Sequence, residues 1–206
     1  MSNQELTGTV VRGVGGFYYV HAQGQVYECR ARGRFRLDEI SPLVGDQVVI
    51  APDEGKNTGF VTEILPRKNL LTRPPCANVD RFVLVLSAHL PKADLLLADK
   101  LLLQAALQKV EPMICLNKCD LASPDEIDAL AKDFRALGAP VLALSAKTGQ
   151  GMSELAGQLA GKISCFAGQS AVGKSSLLNA LAPHLALETG GLGKKTARGR
   201  HTTPFS

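Results

Sequence analysis

Two rhythms of apolar and polar residues divide the chain. Up to about residue 66, apolar positions alternate with polar ones in short runs, at 6–12, 17–22, 25–31, 47–51 and 59–65. Breaks rich in glycine, Asp or Asn separate them: Gly13 to Gly16, Gln23-Gly24, Pro42 with Gly45-Asp46, and Asp53 to Asn57. Short runs of β-branched and aromatic residues between such turns predict an all-β domain. Five strands in residues 1–66 is the size of an OB-like barrel. The next stretch, RKNLLTRPPCANV, is expected to be a linker (67–79) whose prolines leave no regular structure. From residue 80 to 206 the rhythm changes. FVLVLS at 82–87 is a continuous apolar run of strand length, and 94–109 carries leucines and alanines at helical spacing. Further short apolar runs at 112–116, 141–144 and 163–167 alternate with helical patterns that begin at Ser123 and Ser153. Ser123, Pro124 and Glu126 form a helix-start signature, with Gly138 as the stop. Strands alternating with helices predict an α/β domain, a parallel sheet with helices on both faces.

Composition narrows the class. The chain has 206 residues and 45% apolar content, enough for one large or two modest domains. No apolar run approaches a membrane span, and the start, MSNQELTGTV, lacks a basic-then-apolar signal. A cytoplasmic, monomeric protein without a membrane partner is expected. The five cysteines are scattered and form no C-x-x-C pair, so free thiols are expected rather than disulfides or a zinc site. The net charge of +4 is concentrated in two clusters, Arg30 to Arg36 and Lys194 to Arg200. Such clusters suit phosphate contacts. In the barrel, RARGRFR sets guanidinium groups at alternate positions, with Tyr18, Tyr27 and Phe35 within reach. Two readings stand at this point: an RNA-binding surface, or a solvated strand face with its aromatics in the core.

The strongest chemical signal is Gly168-Gln169-Ser170-Ala171-Val172-Gly173-Lys174-Ser175. It fits G-x-x-x-x-G-K-[ST] and lies between a predicted strand and a predicted helix. Such a loop curls so that successive backbone N–H groups face one hollow and bind phosphate oxygens. The helix that follows, with Ser176 in its first turn, points its positive end at the same place. Lys174 adds a charge for the terminal phosphates, and the Ser175 hydroxyl is a ligand for Mg²⁺.

Two shorter motifs choose the base. Asn117-Lys118-Cys119-Asp120 follows the second strand of this domain and Ser145-Ala146-Lys147 the third. An aspartate at position 120 accepts the paired N1–H and N2 donors of guanine, which adenine lacks. Pairing with ATP would leave its carboxylate unmatched. That argues against the ATPase or kinase reading. Lys118 lays its stem along the base, and the Ala146 N–H reaches guanine O6. GTP, GDP and Mg²⁺ are therefore the expected ligands.

The order of the motifs carries a resemblance. The two guanine motifs precede the phosphate loop, behind an OB-like barrel. The stretches GQSAVGKSSLLN (168–179), NKCDL (117–121) and GRHTT (199–203) resemble those of the small ribosomal subunit biogenesis GTPase RsgA family, which is circularly permuted. The resemblance covers essentially the whole chain. It implies GTP hydrolysis to GDP and phosphate, stimulated by the small ribosomal subunit during its late (30S) maturation. It further implies contact with 16S rRNA. By the same resemblance 189–203 is the first switch loop. Thr202 or Thr203 then reaches Mg²⁺ and the γ-phosphate, and Lys174 and Thr203 are the expected catalytic residues. Read without the resemblance, this glycine-rich basic segment is a frayed terminus, and His201 an exposed loop histidine. The family continues with a D-x-x-G motif and a zinc domain. No aspartate follows Asp133 here, and no zinc ligands are expected in this chain. A truncated product with weak turnover is the resulting expectation, with 163–167 as an unprotected sheet edge. The alternative function is a non-catalytic RNA- and guanine-nucleotide-binding fragment.

Overall fold

The computed structural model describes residues 5–31, 33, 35 and 40–182. The chain divides into two compact units between Val79 and Asp80.

The first unit is a closed five-stranded barrel. Its strands are β1 (Leu6–Val14), β2 (Phe17–Ala22), β3 (Gln25–Ala31), β4 (Gln47–Pro52) and β5 (Thr58–Ile64), in the order β1-β2-β3-β5-β4 with β4 returning to β1. Only β3–β5 is parallel. Every other residue along a strand faces inward, which is why Val10, Val20, Cys29, Val48, Ile50 and Val61 are completely buried. Two glycines allow the strands to close. A side chain at Gly8 would meet the His21 carbonyl, and one at Gly59 the Ala51 carbonyl, at 2.6 and 2.5 Å. The five predicted strands are present, with ends shifted by one or two residues. The aromatics belong to the core: Phe35 is buried in the barrel cluster and Tyr18 and Tyr27 pack against it. Those three rings pack inward rather than forming an exposed aromatic surface. Arg32, Arg34 and Arg36 lie outside the described residues.

The expected linker is not irregular. Leu70–Thr72 (β6) and Pro75–Ala77 (β7) form an antiparallel hairpin. Its prolines sit at the turn and the strand start, where no ladder N–H is missed. Two asparagines hold its base. Asn69 exchanges two hydrogen bonds with the Val79 backbone at 2.8 Å each, and Asn78 accepts from Lys68 N and donates to the Gly45 carbonyl. Leu71, Cys76, Ala77 and Val79 are buried. Beside them the fully buried Asp46 accepts Nε and Nη2 of Arg67, at 2.7 and 2.8 Å, and the Leu43 N–H. This bidentate bond is the first cause of a raised Arg67 pKa.

The second unit is built on a parallel sheet of β8 (Arg81–Ser87), β9 (Glu111–Asn117), β10 (Val141–Ala143) and β11 (Ser164–Ala167), ordered β10-β9-β8-β11. Every residue of β8 is buried, as a strand covered on both faces requires. Helices α1 (Leu95–Leu107) and α2 (Pro124–Ala136) pack against β8–β9 and β9–β10 respectively. Leu155 and Leu159 of α3 (Met152–Leu159) and Leu177 of α4 (Lys174–Leu181) join Val83, Val85, Met113 and Cys115 in one core cluster. Among the described residues β11 has a strand partner on one side, β8. The chain steps outward from β8 to β10 and then returns past β8 to β11. Strand order reverses at that point, and in open parallel sheets the ligand crevice lies there, at the carboxyl ends of the strands.

Helix α2 starts as its sequence predicts. Ser123 caps it, its hydroxyl accepting from Glu126 N, while the Glu126 carboxylate accepts the Ser123 N–H at 2.7 Å. The Ser123 N–H, and then its hydroxyl, donate to the Glu126 carboxylate and hold that carboxyl below its usual pKa. Ser123→Ala is expected to destabilise the second unit by about 1 kcal/mol, read as a lower urea midpoint at constant slope. An unchanged midpoint would show that the cap contributes nothing.

Candidate functional site

The phosphate loop begins under tight constraint. Gly168, just after β11, has φ +143°, and a Cβ there would lie 2.2 Å from the Val85 carbonyl oxygen. Only glycine lets the chain turn so close against β8. The loop continues through Ala171 at φ +63° and ends at Gly173 at φ +96°, where a Cβ would lie 2.2 Å from Nδ2 of Asn117. Gly173 is also the N-cap of α4 and supplies no side-chain cap, so the first-turn N–H groups are left for another acceptor. Ser175 and Ser176 are half-buried in that turn.

Lys174 folds back over its own loop. Its Nζ donates to the carbonyls of Gly168 at 2.9 Å and Gln169 at 2.7 Å. An ammonium has three N–H donors; two fix its position and one remains. Burial lowers the Lys174 pKa, as expected for a cation drawn partly out of water.

The guanine motifs are joined to this loop. Asn117, at the end of β9, is 3% exposed. Its Nδ2 donates to the Val172 carbonyl at 2.9 Å, and its Oδ1 accepts the Ala146 N–H at 3.1 Å. One side chain thus binds the phosphate loop to the Ser145-Ala146-Lys147 loop. Lys118 takes a left-handed backbone, φ +65°, and sends Nζ to the carbonyls of Ala171 at 2.8 Å and Leu90 at 2.6 Å. Asp120 is exposed, and its Oδ1 accepts the hydroxyl of the fully buried Ser145 at 2.7 Å. Ser145 Oγ accepts the Thr148 N–H, and Ser145 N donates to the Gln150 carbonyl. Lys147 is exposed at the tip of this loop. The neighbouring Cys119 N–H donates to the Leu144 carbonyl, which ties the two guanine loops together again.

The sequence reading gave Ala146 N–H to a ligand and Lys118 to the base. In the structure both bond to protein, the Ala146 N–H to Asn117 Oδ1 and Lys118 Nζ to the carbonyls of Leu90 and Ala171. The segment after β8 escaped the sequence reading altogether. Leu90, Lys92 and Asp94 form a further wall, held by Lys118 and by Gln169. Its only sequence signal is Asp94, which caps α1 by accepting from Leu97 N. His201, Thr202, Thr203 and the cluster Lys194 to Arg200 lie outside the described residues.

Metal chemistry follows from the donor set. Mg²⁺ takes one or two protein oxygens and completes its shell with phosphates and water. A Ser175 hydroxyl beside a phosphate hollow fits that pattern. All five cysteines are buried thiols outside any disulfide, and no cluster of three metal-binding side chains occurs among the described residues. No helix among the described residues is long and apolar enough to cross a membrane.

Comparison with known proteins agrees with this geometry. Residues 7–61 match the RsgA N-terminal domain family and residues 64–206 the RsgA GTPase family. The small ribosomal subunit biogenesis GTPase RsgA of Caldanaerobacter subterraneus subsp. tengcongensis is 46% identical over 200 residues, spanning 97% of this chain and 68% of that protein. The protein of the same name from Geobacillus kaustophilus is 44% identical over 199 residues, spanning 95% and 68%. YjeQ from Thermotoga maritima superposes with a TM-score of 0.78 at 39% identity, covering 91% of this chain and 68% of that one. YloQ, described as a circularly permuted GTPase, gives 0.71 at 40%, covering 87% and 65%. With both units matched in chain order, this chain belongs to the RsgA GTPase family.

Proposed function

We propose that this protein binds GTP across its three joined loops, hydrolyses it to GDP and phosphate, and acts on the small ribosomal subunit in the cytoplasm. The observation that carries the reading is the bonding of Asn117 and Lys118 to Val172 and Ala171. Residues expected to read a guanine base are thereby fixed within one side chain's reach of residues expected to hold phosphates. Asp120 accepts the N1–H and N2 donors of the base; two carboxylate oxygens offer about four lone-pair sites, and Ser145 takes one. Ala146 N–H moves from Asn117 Oδ1 to guanine O6. The first turn of α4 and the remaining N–H of Lys174 face the phosphate chain, where charge develops as the terminal phosphoryl group departs. Ser175 would hold Mg²⁺, which would supply charge neutralisation for the terminal phosphates. Thr203 is proposed as the second protein contact to that ion.

The barrel is proposed to contact RNA of the subunit. Its support is a face on which Arg30 stacks over Phe17 at 4.7 Å and Arg12 over Tyr19 at 5.3 Å. Arginine interleaved with aromatics suits phosphate contact and base stacking together. A hollow of about 330 Å³ adjoins it, lined by Gly16, Phe17, Arg30 and Ile40.

The test is GTP turnover by the full chain, alone and with purified small subunits. Phosphate release that rises at least about tenfold with subunits is expected, by analogy with GTPases completed by a partner. GTP binding without turnover under either condition would reduce the protein to a binding module. Displacement of bound GDP by ATP as readily as by GTP would overturn the guanine assignment.

A further inference from the structure

We propose that Gln169 is a positioning residue for the diphosphate. Its carboxamide clasps the backbone between β8 and α1, and through its own carbonyl it sets where the Lys174 ammonium stands. This rests on the nucleotide-binding reading above.

The side chain uses both ends of its amide. Oε1 accepts the Asp94 N–H at 2.8 Å, and Nε2 donates to the Lys92 carbonyl at 2.9 Å. The partners lie 75 and 77 positions away in sequence, so the bonds join two segments that share no local structure. The main-chain carbonyl of the same residue accepts Lys174 Nζ at 2.7 Å, shorter than the bond from Nζ to the Gly168 carbonyl. One residue therefore stands between the 92–94 segment and the only charged group of the loop.

The rest of the loop shows why a side-chain clasp matters here. Gly168 has no side chain, and its backbone takes a conformation with many accessible alternatives in glycine. Ala171 and Val172 are held from the far side by Lys118 and Asn117. Between these two points the loop has one side-chain anchor, the Gln169 amide. The 92–94 segment that receives it is firm, because Asp94 caps α1 and Lys118 holds the Leu90 carbonyl. Releasing the amide lets the Gln169 carbonyl rotate, and the ammonium follows it away from the phosphates. The base-reading groups, fixed by Asn117 and Ser145, stay where they are.

The consequence is selective. Loss of the clasp weakens the hold on the β-phosphate and leaves recognition of base and α-phosphate intact. The experiment is displacement of a fluorescent GDP analogue from the full chain by GDP and by GMP, for wild type, Gln169→Ala and the similarly sized Gln169→Met. Melting temperatures are recorded for each. The expected result is a loss of GDP affinity of about fivefold to tenfold in both variants, the scale of partly losing one charged hydrogen bond to the β-phosphate. GMP affinity and melting temperature should be unchanged, and the bound β-phosphorus resonance should be displaced. Equal loss of GDP and GMP would assign Gln169 to general loop stability and overturn the proposal. So would unaltered GDP affinity. A wild-type chain that binds no guanine nucleotide would instead defeat the reading on which it rests.

Discussion

Asp120→Asn is expected to lower affinity for GTP and GDP by about a hundredfold or more and to make the xanthine nucleotides the better ligands. The carboxylate accepts two hydrogen bonds from guanine, each worth about 1.5–3 kcal/mol because the acceptor is charged. An amide at this position keeps one acceptor and gains a donor. Ser145 decides how that amide sits. Its oxygen accepts the Thr148 N–H, so its own proton points to Oδ1 of residue 120. That proton holds the amide oxygen of the variant and turns the NH₂ group to the base. There it opposes guanine N1–H and N2 but donates to the 2-oxo group of xanthine. Adding Ser145→Ala should free the amide to turn over and blunt the exchange of specificity. Competition binding with GDP, XDP and ADP measures all of this. If Asp120→Asn retained its preference for GDP, the carboxylate would not be the reader of the base.

How far the sequence discloses this arrangement depends on the range of the interaction. The cap at Ser123, Pro124 and Glu126 was legible because all its bonds close within four residues. The three loops that carry the motifs were legible for a similar reason: each is one turn following one strand, with residue types fixed by local chemistry. Their mutual bonding was not. Nothing near Lys118 announces that its ammonium reaches Leu90 and Ala171, which are 28 and 53 positions away. The hairpin at Leu70–Ala77 failed for the same cause. Its prolines and polar residues look like breakers, yet Asn69 and Asn78 close it onto Val79 and Gly45. Phe35 sits in a run of arginines that favours the surface, yet it is buried as a member of the barrel's core cluster. Sheet order was readable only as a class. The return of β11 past β8 follows from which apolar faces can be covered at once, a property of the assembled unit.

Gly168→Ala is the substitution expected to harm the site most by backbone geometry alone. At φ +143° an alanine is strained by roughly 1–3 kcal/mol wherever it occurs. Here its methyl would also lie 2.2 Å from the Val85 carbonyl oxygen and 3.2 Å from its carbon. Those are main-chain atoms of a central, fully buried strand paired on both sides, so they cannot give way as a flexible side chain does. Relief must come from the loop, which would lift off β8 and carry the Gly168 carbonyl away from Lys174. Strain and overpacking together predict a loss of about 2–5 kcal/mol in stability of the second unit. Guanine-nucleotide affinity should fall at least about tenfold, since both the loop and its ammonium are displaced. Gly157, exposed on α3 with nothing within 4 Å of an added Cβ, is the matched control. Urea unfolding with and without GDP separates the two effects. A Gly168→Ala chain as stable as wild type, and as strongly protected by GDP, would mean that the loop does not need its close approach to β8. The phosphate hollow would then have to be formed some other way.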